Sequence, residues 1–185
     1  MASPLNGKYM FNLAEMTAAV KQIMLETAVL HKFGEAACRI FRLLLRLGFK
    51  GGCVTTDRLP LKLELKQVAE MSLMPEREAR PLLGRMLAAG FVSLQEMPRS
   101  TDHNPRTTVY LWHVEMARAC RALEAEMLAT ESKLISRLEA EHRRGERMHG
   151  DGESTAPSGD PSRVASFLET AILQTHESIM FFRYI

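Results

Sequence analysis

The chain has 185 residues, 46% of them apolar and 25% charged, with a formal net charge of +2, the balance of a globular protein with one ordinary core and an appendage. A charge so near neutral excludes binding to nucleic acid by bulk electrostatics, so any such contact must come from a local patch. Cys38, Cys53 and Cys120 are odd in number and far apart, which argues against a disulfide framework or a zinc site; no apolar run nears the roughly 20 residues of a membrane span, and residues 1–7 lack a secretory signal pattern, so a soluble, intracellular protein is expected.

Aromatics are sparse at 6%, and an apolar content supplied mostly by Leu, Ala and Met leans towards helix. Residues 9–13 read as a short strand or extended opening. A helix then spans about 13–31, where Leu13, Met16, Val20, Ile23 and Leu30, with Thr27 in the remaining slot, form a heptad-like stripe. Phe33 and Gly34 break it. A second helix, about 35–47, has Ile40, Phe41, Leu44 and Leu47 as its apolar face and Arg39, Arg42 and Arg46 on the other side. Gly48 ends it as a C-terminal cap, and the Gly-rich stretch 48–60 is a loop.

A short helix over about 65–72 carries Val68, Ala69 and Met71, and Leu73-Met74-Pro75 makes a tight break. The next helix starts at Pro75 or Glu76, where proline suits the first turn and Glu76 and Glu78 favour the positive helix end. It runs to Ala89 with Leu82, Leu83, Met86 and Leu87 as its core side. Pro81 lies past the first turn and costs about 3 kcal/mol if unrelieved, so a kink near residues 77–81 is expected. Residues 91–96 and 107–114 then read as two strands of a hairpin around the polar loop 98–105.

A long helix follows over about 115–144, free of Gly and Pro, with a stripe of Met116, Cys120, Leu123, Met127, Thr130 and Leu134 that drifts at Leu138. Residues 145–161 are a low-complexity linker expected to be disordered. The last helix, about 162–182, repeats the stripe in Val164, Leu168, Ala171, Thr175, Ile179 and Phe182. Two striped helices joined by a flexible linker predict an antiparallel pair.

The expected fold is mostly α with a small β-hairpin: a winged helix-turn-helix followed by a two-helix antiparallel coiled coil. Its parts are an opening strand and linker helix (1–32), a winged helix (33–114), and a helical hairpin (115–144 and 162–185) spaced by the linker 145–161. In such a domain the third helix is the candidate reader of a major groove.

The quoted residues also carry a resemblance. Phe91-Val92-Ser93-Leu94-Gln95-Glu96-Met97-Pro98, then Thr101-Asp102-His103-Asn104-Pro105, then Tyr110-Leu111-Trp112 resemble the wing hairpin of the last winged helix in the third-largest subunit of eukaryotic RNA polymerase III. Phe33-Gly34 with Ala37-Cys38-Arg39-Ile40-Phe41-Arg42-Leu43 is similar to the helix opening that domain. Leu65-Lys66-Gln67-Val68-Ala69, Met74-Pro75 and Glu78-Ala79-Arg80 are similar to its second and third helices. The terminal helices match the family's C-terminal coiled coil by pattern more than by residue. An insertion over 48–62 and Pro81 depart from the family, whose members also carry several winged helices upstream.

No pattern for catalysis is present: no P-loop or dinucleotide turn, no nucleophile elbow around Ser93, and no second metal ligand at useful spacing from His103 or His113. No cofactor is expected. Arg77, Arg80 and Arg85 are interleaved with Glu76 and Glu78, which suits a solvated helix face better than base reading. Arg143, Arg144 and Arg147 are accounted for as cations near the C-terminal end of a helix. Arg99, His103 and Arg106 on the wing are candidates for contact with DNA phosphates, weighed evenly against a polar or protein-contact loop. Leu168, Ile172, Ile179 and Phe182 are the candidate partner-binding residues, and the apolar end 180–185 is expected to dock.

The resemblance implies a non-catalytic, nuclear subunit of RNA polymerase III. It implies membership of a three-subunit subcomplex on the clamp of the largest subunit, supporting promoter opening and transcription of short non-coding RNAs such as tRNA and 5S rRNA. Partners would be the other polymerase subunits and, at most, non-specific DNA, with no membrane. The alternative is a free-standing dimeric winged-helix regulator, which needs a basic groove-facing helix and two-fold symmetry. A third reading, a bridging general transcription factor, calls for a zinc ribbon or acidic tail, and neither occurs.

Overall fold

The computed structural model describes residues 4–5, 8–9, 12–48, 62–98, 108–150 and 161–184. The chain forms two compact units, Met1–Leu123 and Glu124–Ile185. In the first, a two-stranded antiparallel ribbon of β1 (Pro4–Leu5) and β2 (Lys8–Tyr9) precedes helix α1 (Leu13–Phe33). Asn12 caps α1, its side-chain oxygen accepting from the Glu15 N–H at 3.3 Å. The helix closes at Gly34, which has φ +89° and whose N–H donates to Leu30 O at 3.0 Å. That left-handed residue turns the chain straight into α2 (Glu35–Gly48).

α1 is apolar on two sides. Leu25 and Val29 are buried, whereas Leu13 and Ile23 of the heptad stripe are each 62% exposed. The stripe picked out by spacing is therefore on the far side from the core, because packing on α2 selects the Leu25–Val29 side. On α2, Ile40, Phe41 and Leu44 are buried as their spacing predicts. Ala37, Cys38 and Leu45 join them, while Leu47 is half-buried.

β3 (Leu63–Glu64) leads into α3 (Leu65–Met71), where the Glu64 N–H donates to Gln67 Oε1 at 3.0 Å in a capping box. Val68 and Ala69 are buried, but Met71 turns outward. The turn to α4 (Glu76–Ala88) holds Ser72, whose buried Oγ donates to Val68 O at 2.7 Å, and Leu73, which adopts φ +54° and is 88% exposed. α4 is one helix with Pro81 inside it and Ala79, Leu83 and Met86 buried. Leu82 and Leu87 are half-buried.

The wing is a three-stranded antiparallel sheet of order β3-β5-β4, with β4 at Ser93–Met97 and β5 at Val109–His113. Leu63 and Leu94 flank Trp112 from the two sides. β3 is an addition to the expected hairpin: two residues are too short to show alternation, and their pairing with β5 makes the strand. Phe91 holds the centre, edge-on to Phe33 (ring centroids 5.9 Å apart) and Phe41 (6.4 Å). Gly90 before it has φ +81°, and a Cβ there would stand 3.0 Å from the Ala122 Cβ, so α5 (Met116–Gly150) passes the turn where only glycine fits.

The second unit pairs α5 beyond Glu124 with α6 (Pro161–Tyr184). Cross-links run Glu124 to Arg183 (2.8 Å), Glu131 to His176 (2.9 Å) and His142 to Glu169 (4.0 Å). Partner numbers fall on α6 as they rise on α5, so the helices are antiparallel. Ala165, Leu168, Ile179 and Phe182 are buried, with Ile172 and Thr175 half-buried between them. On α5 the inward positions are Met127, Glu131, Leu134, Leu138 and Glu141, an unbroken three-four alternation. Thr130 is exposed and bonds back to Glu126 O at 2.9 Å, so Glu131, engaged by His176, takes the inward place expected for Thr130. The stripe does not drift at Leu138. α5 also continues past residue 144 to Gly150, since Glu146 and Arg147 are good helix formers and offset the cost of Gly145.

Candidate interaction surfaces

The exposed start of α4 carries Glu76, Arg77, Glu78 and Arg80. Arg77 is 85% exposed, and its nearest carboxylate is Glu78 at 3.9 Å. Arg85 is drawn back: its Nη2 donates to Phe33 O at 3.3 Å and its guanidinium lies 5.5 Å from the Phe33 ring centroid. The helix at the major-groove position thus offers two exposed arginines beside two glutamates, one of which pairs with Arg77, a surface of mixed sign with no directed set of donors for base edges. The wing-loop candidates Arg99, His103 and Arg106 lie outside the described residues.

On α6, Leu168, Ile179 and Phe182 are buried and Ile172 is half-buried. The outward apolar residues of that helix are Phe167, Leu173, Met180, Phe181 and Tyr184. The spacing shows the stripe clearly, but the outward set lacks its regularity and is found only once the inward face is known.

A cleft of about 670 Å³ opens between α1 and α2. Leu30, Leu43 and Leu47 line it together with Arg39, Arg42, Arg46 and a single carboxylate, Glu35. The arginines stand three and four residues apart, hence on successive turns of one helix side. The Arg42 Nε donates to Glu26 Oε2 at 2.7 Å, a charge-assisted bond that fixes the guanidinium and pushes its pKa still higher. The Arg39 Nη1 reaches Ser72 O at 3.5 Å. At the back of the cleft the Cys38 thiol is buried, donates to Glu26 O at 3.6 Å, and has its pKa raised by burial above all, which removes it as a nucleophile at neutral pH. Sequence reading sees the arginine row; the cleft itself depends on α1 lying alongside.

His113 on β5 has its pKa lowered, first by burial and then by the charge of Lys62, with Glu115 and the Leu111 backbone opposing more weakly. Its Nδ1 is buried without a partner among the described residues. Among those residues no group of three or more His, Cys, Asp or Glu side chains could hold a metal ion, and no helix is long and apolar enough to cross a membrane.

Residues 58–114 match the family model described as the C-terminal winged-helix domain of POLR3C. The chain is 33% identical over 142 residues, 77% of its length, to the DNA-directed RNA polymerase III subunits RPC3 of Rattus norvegicus and of Homo sapiens. It is 30% identical over 155 residues, 84% of its length, to subunit rpc3 of Aspergillus clavatus. These alignments take in 24% of the two mammalian proteins and 22% of the fungal one, so the chain spans about a quarter of the length of these relatives. With its helix-turn-helix, three-stranded wing and following long helices, this chain belongs with the C-terminal winged-helix region of the RNA polymerase III subunit RPC3 family.

Proposed function

We propose that the chain serves as a non-catalytic part of RNA polymerase III in the nucleus, acting through protein contacts. The observation that carries this is the 33% identity to RPC3 subunits over 77% of the chain, with the winged helix inside the matched stretch. Nucleotide addition then belongs to other chains, and this one contributes surfaces. The finer reading is a place in a three-subunit subcomplex on the clamp of the largest subunit, supporting promoter opening for tRNA, 5S rRNA and similar transcripts. In that setting the wing loop with Arg99, His103 and Arg106 touches DNA phosphates without reading sequence. The mixed charge at the start of α4 supports a minor, non-specific role for DNA. The hairpin seam of Leu168, Ile172, Ile179 and Phe182 acts in assembly by keeping α6 folded onto α5, so that the outward side chains of α6 are presented to a partner.

Affinity purification of the tagged chain from its own cells, followed by mass spectrometry, tests the reading. Recovery of polymerase III clamp and accessory subunits is expected. Recovery of the chain alone, as a dimer, would sink it in favour of a free-standing winged-helix regulator. Within the complex, Ile179→Asp is expected to weaken recovery of partners while Arg77→Ala leaves it unchanged.

A further inference from the structure

The outward side of α1 and the cleft beside it form one surface. Leu13, Met16, Val20, Ile23, Thr27 and Leu30 follow an unbroken heptad spacing along about 27 Å of helix, opposite the buried Leu25 and Val29. Leu30, the last of them, also lines the α1–α2 cleft with Leu43 and Leu47. An apolar strip therefore runs into a leucine-lined cleft edged by three arginines and one carboxylate, Glu35. Glu26 orients one of the arginines, and Arg46 has no carboxylate partner among the described residues. A contiguous apolar stripe left exposed on a helix marks a surface suited to a partner.

The chemistry of the cleft narrows what covers it. Bases of single-stranded nucleic acid need aromatic faces to stack on, and no aromatic side chain lines this cleft. Leucines beside a phosphate backbone gain nothing. A second copy docked through this same face brings few complementary charges: its carboxylates are Glu15, Glu26 and Glu35, and Glu26 is already bound by Arg42. The complement is a helix with apolar residues at three-four spacing and carboxylates along one flank.

We infer that the α1–α2 face is a docking site for an acidic amphipathic helix of a partner protein. The inference rests on the reading of this chain as a subunit that works by protein contacts. Leucine-type side chains of the partner lie along Ile23 and Leu30 and enter the cleft, and its carboxylates accept from Arg39, Arg42 and Arg46.

The test is fluorescence anisotropy with the full chain and a labelled synthetic peptide of about three heptads, with Leu at the a and d positions and Glu on the flank. A companion peptide carries Lys for Glu, and a duplex DNA of about 20 base pairs serves as competitor. The acidic peptide is expected to bind, the lysine peptide to bind about tenfold more weakly, and the double variant Arg39→Glu/Arg46→Glu to lose about tenfold for the acidic peptide and to prefer the lysine one. Ile23→Asp weakens both peptides. All three substituted positions are exposed, and unchanged circular dichroism checks that the variants fold. Equal binding of the two peptides, or no effect of the arginine reversals, overturns the proposal. Displacement of the acidic peptide by the duplex overturns it in favour of a nucleic-acid surface. Peptide binding without co-purifying polymerase would leave the cleft standing and remove the subunit reading; the converse would remove the cleft alone.

Discussion

In the winged-helix unit Phe41, Leu83, Met86 and Phe91 have at most 1% of their surface exposed and belong to three different segments of the chain, whereas in the helical hairpin the best-covered side chains, Ile179 and Phe182, keep 3%, and no described residue of α5 beyond Leu123 is buried. The first unit is held by a three-dimensional core in which each side chain is enclosed from several directions. The second is held along a line, one layer of seam at a time, with ion pairs at its edge. A core of the first kind fails as a whole when one piece is removed; a seam of the second kind loses strength locally.

The largest expected effect lies in the core. Phe91→Ala removes the ring that contacts both Phe33 and Phe41 and should cost about 3–5 kcal/mol, read by denaturant unfolding as a fall in midpoint across the whole winged-helix unit. Leu168→Ala in the seam should cost less, about 2 kcal/mol, because the half-buried neighbours can close over the gap; hydrogen exchange should show the loss confined to α5 and α6. A seam substitution that unfolds the chain as completely as Phe91→Ala would erase the distinction.

Acid should separate the units next. The His113 pKa is held below its usual 6.5, first by burial, so the unfolded chain binds a proton that the folded chain resists. Stability from this residue is then complete above about pH 6.5 and is lost as the pH falls from there towards the folded value. Thermal unfolding of the winged-helix unit between about pH 7 and pH 5 should show this decline, and His113→Gln should flatten it; an equal slope in the variant would assign the acid sensitivity elsewhere. The smallest effect belongs to the hairpin edge. Arg183, half exposed beside Glu124 at 2.8 Å, should contribute about 0.5 kcal/mol, and the penalty of Arg183→Ala should vanish in about 1 M salt.

Much of this architecture is legible in the chain itself. Ile40, Phe41 and Leu44, and Leu83 and Met86, declare their buried faces by helical spacing, and Leu168, Ile179 and Phe182 do so for α6. The failures have physical causes. α1 has two apolar stripes, and spacing alone favours the longer one, while the contact with α2 selects Leu25 and Val29. β3 exists through its partner strand and leaves no local pattern. Glu131 hides in the α5 seam because its inward position depends on a histidine 45 residues away. The cleft is illegible for the same reason as β3: Arg39, Arg42 and Arg46 are visible as a row, but the leucine floor needs Leu30 from a neighbouring helix.

Leu73 has a further consequence. A leucine held at φ +54° in the turn between α3 and α4, with nearly all of its side chain in water, sits about 1–2 kcal/mol above a residue suited to that conformation. The turn is therefore a place where the protein can be made more heat-resistant without touching its core. Leu73→Asn, which tolerates the left-handed backbone and removes an exposed apolar side chain, should raise the melting temperature by a few degrees, and a chain prepared for structural or binding work would gain solubility from the same change.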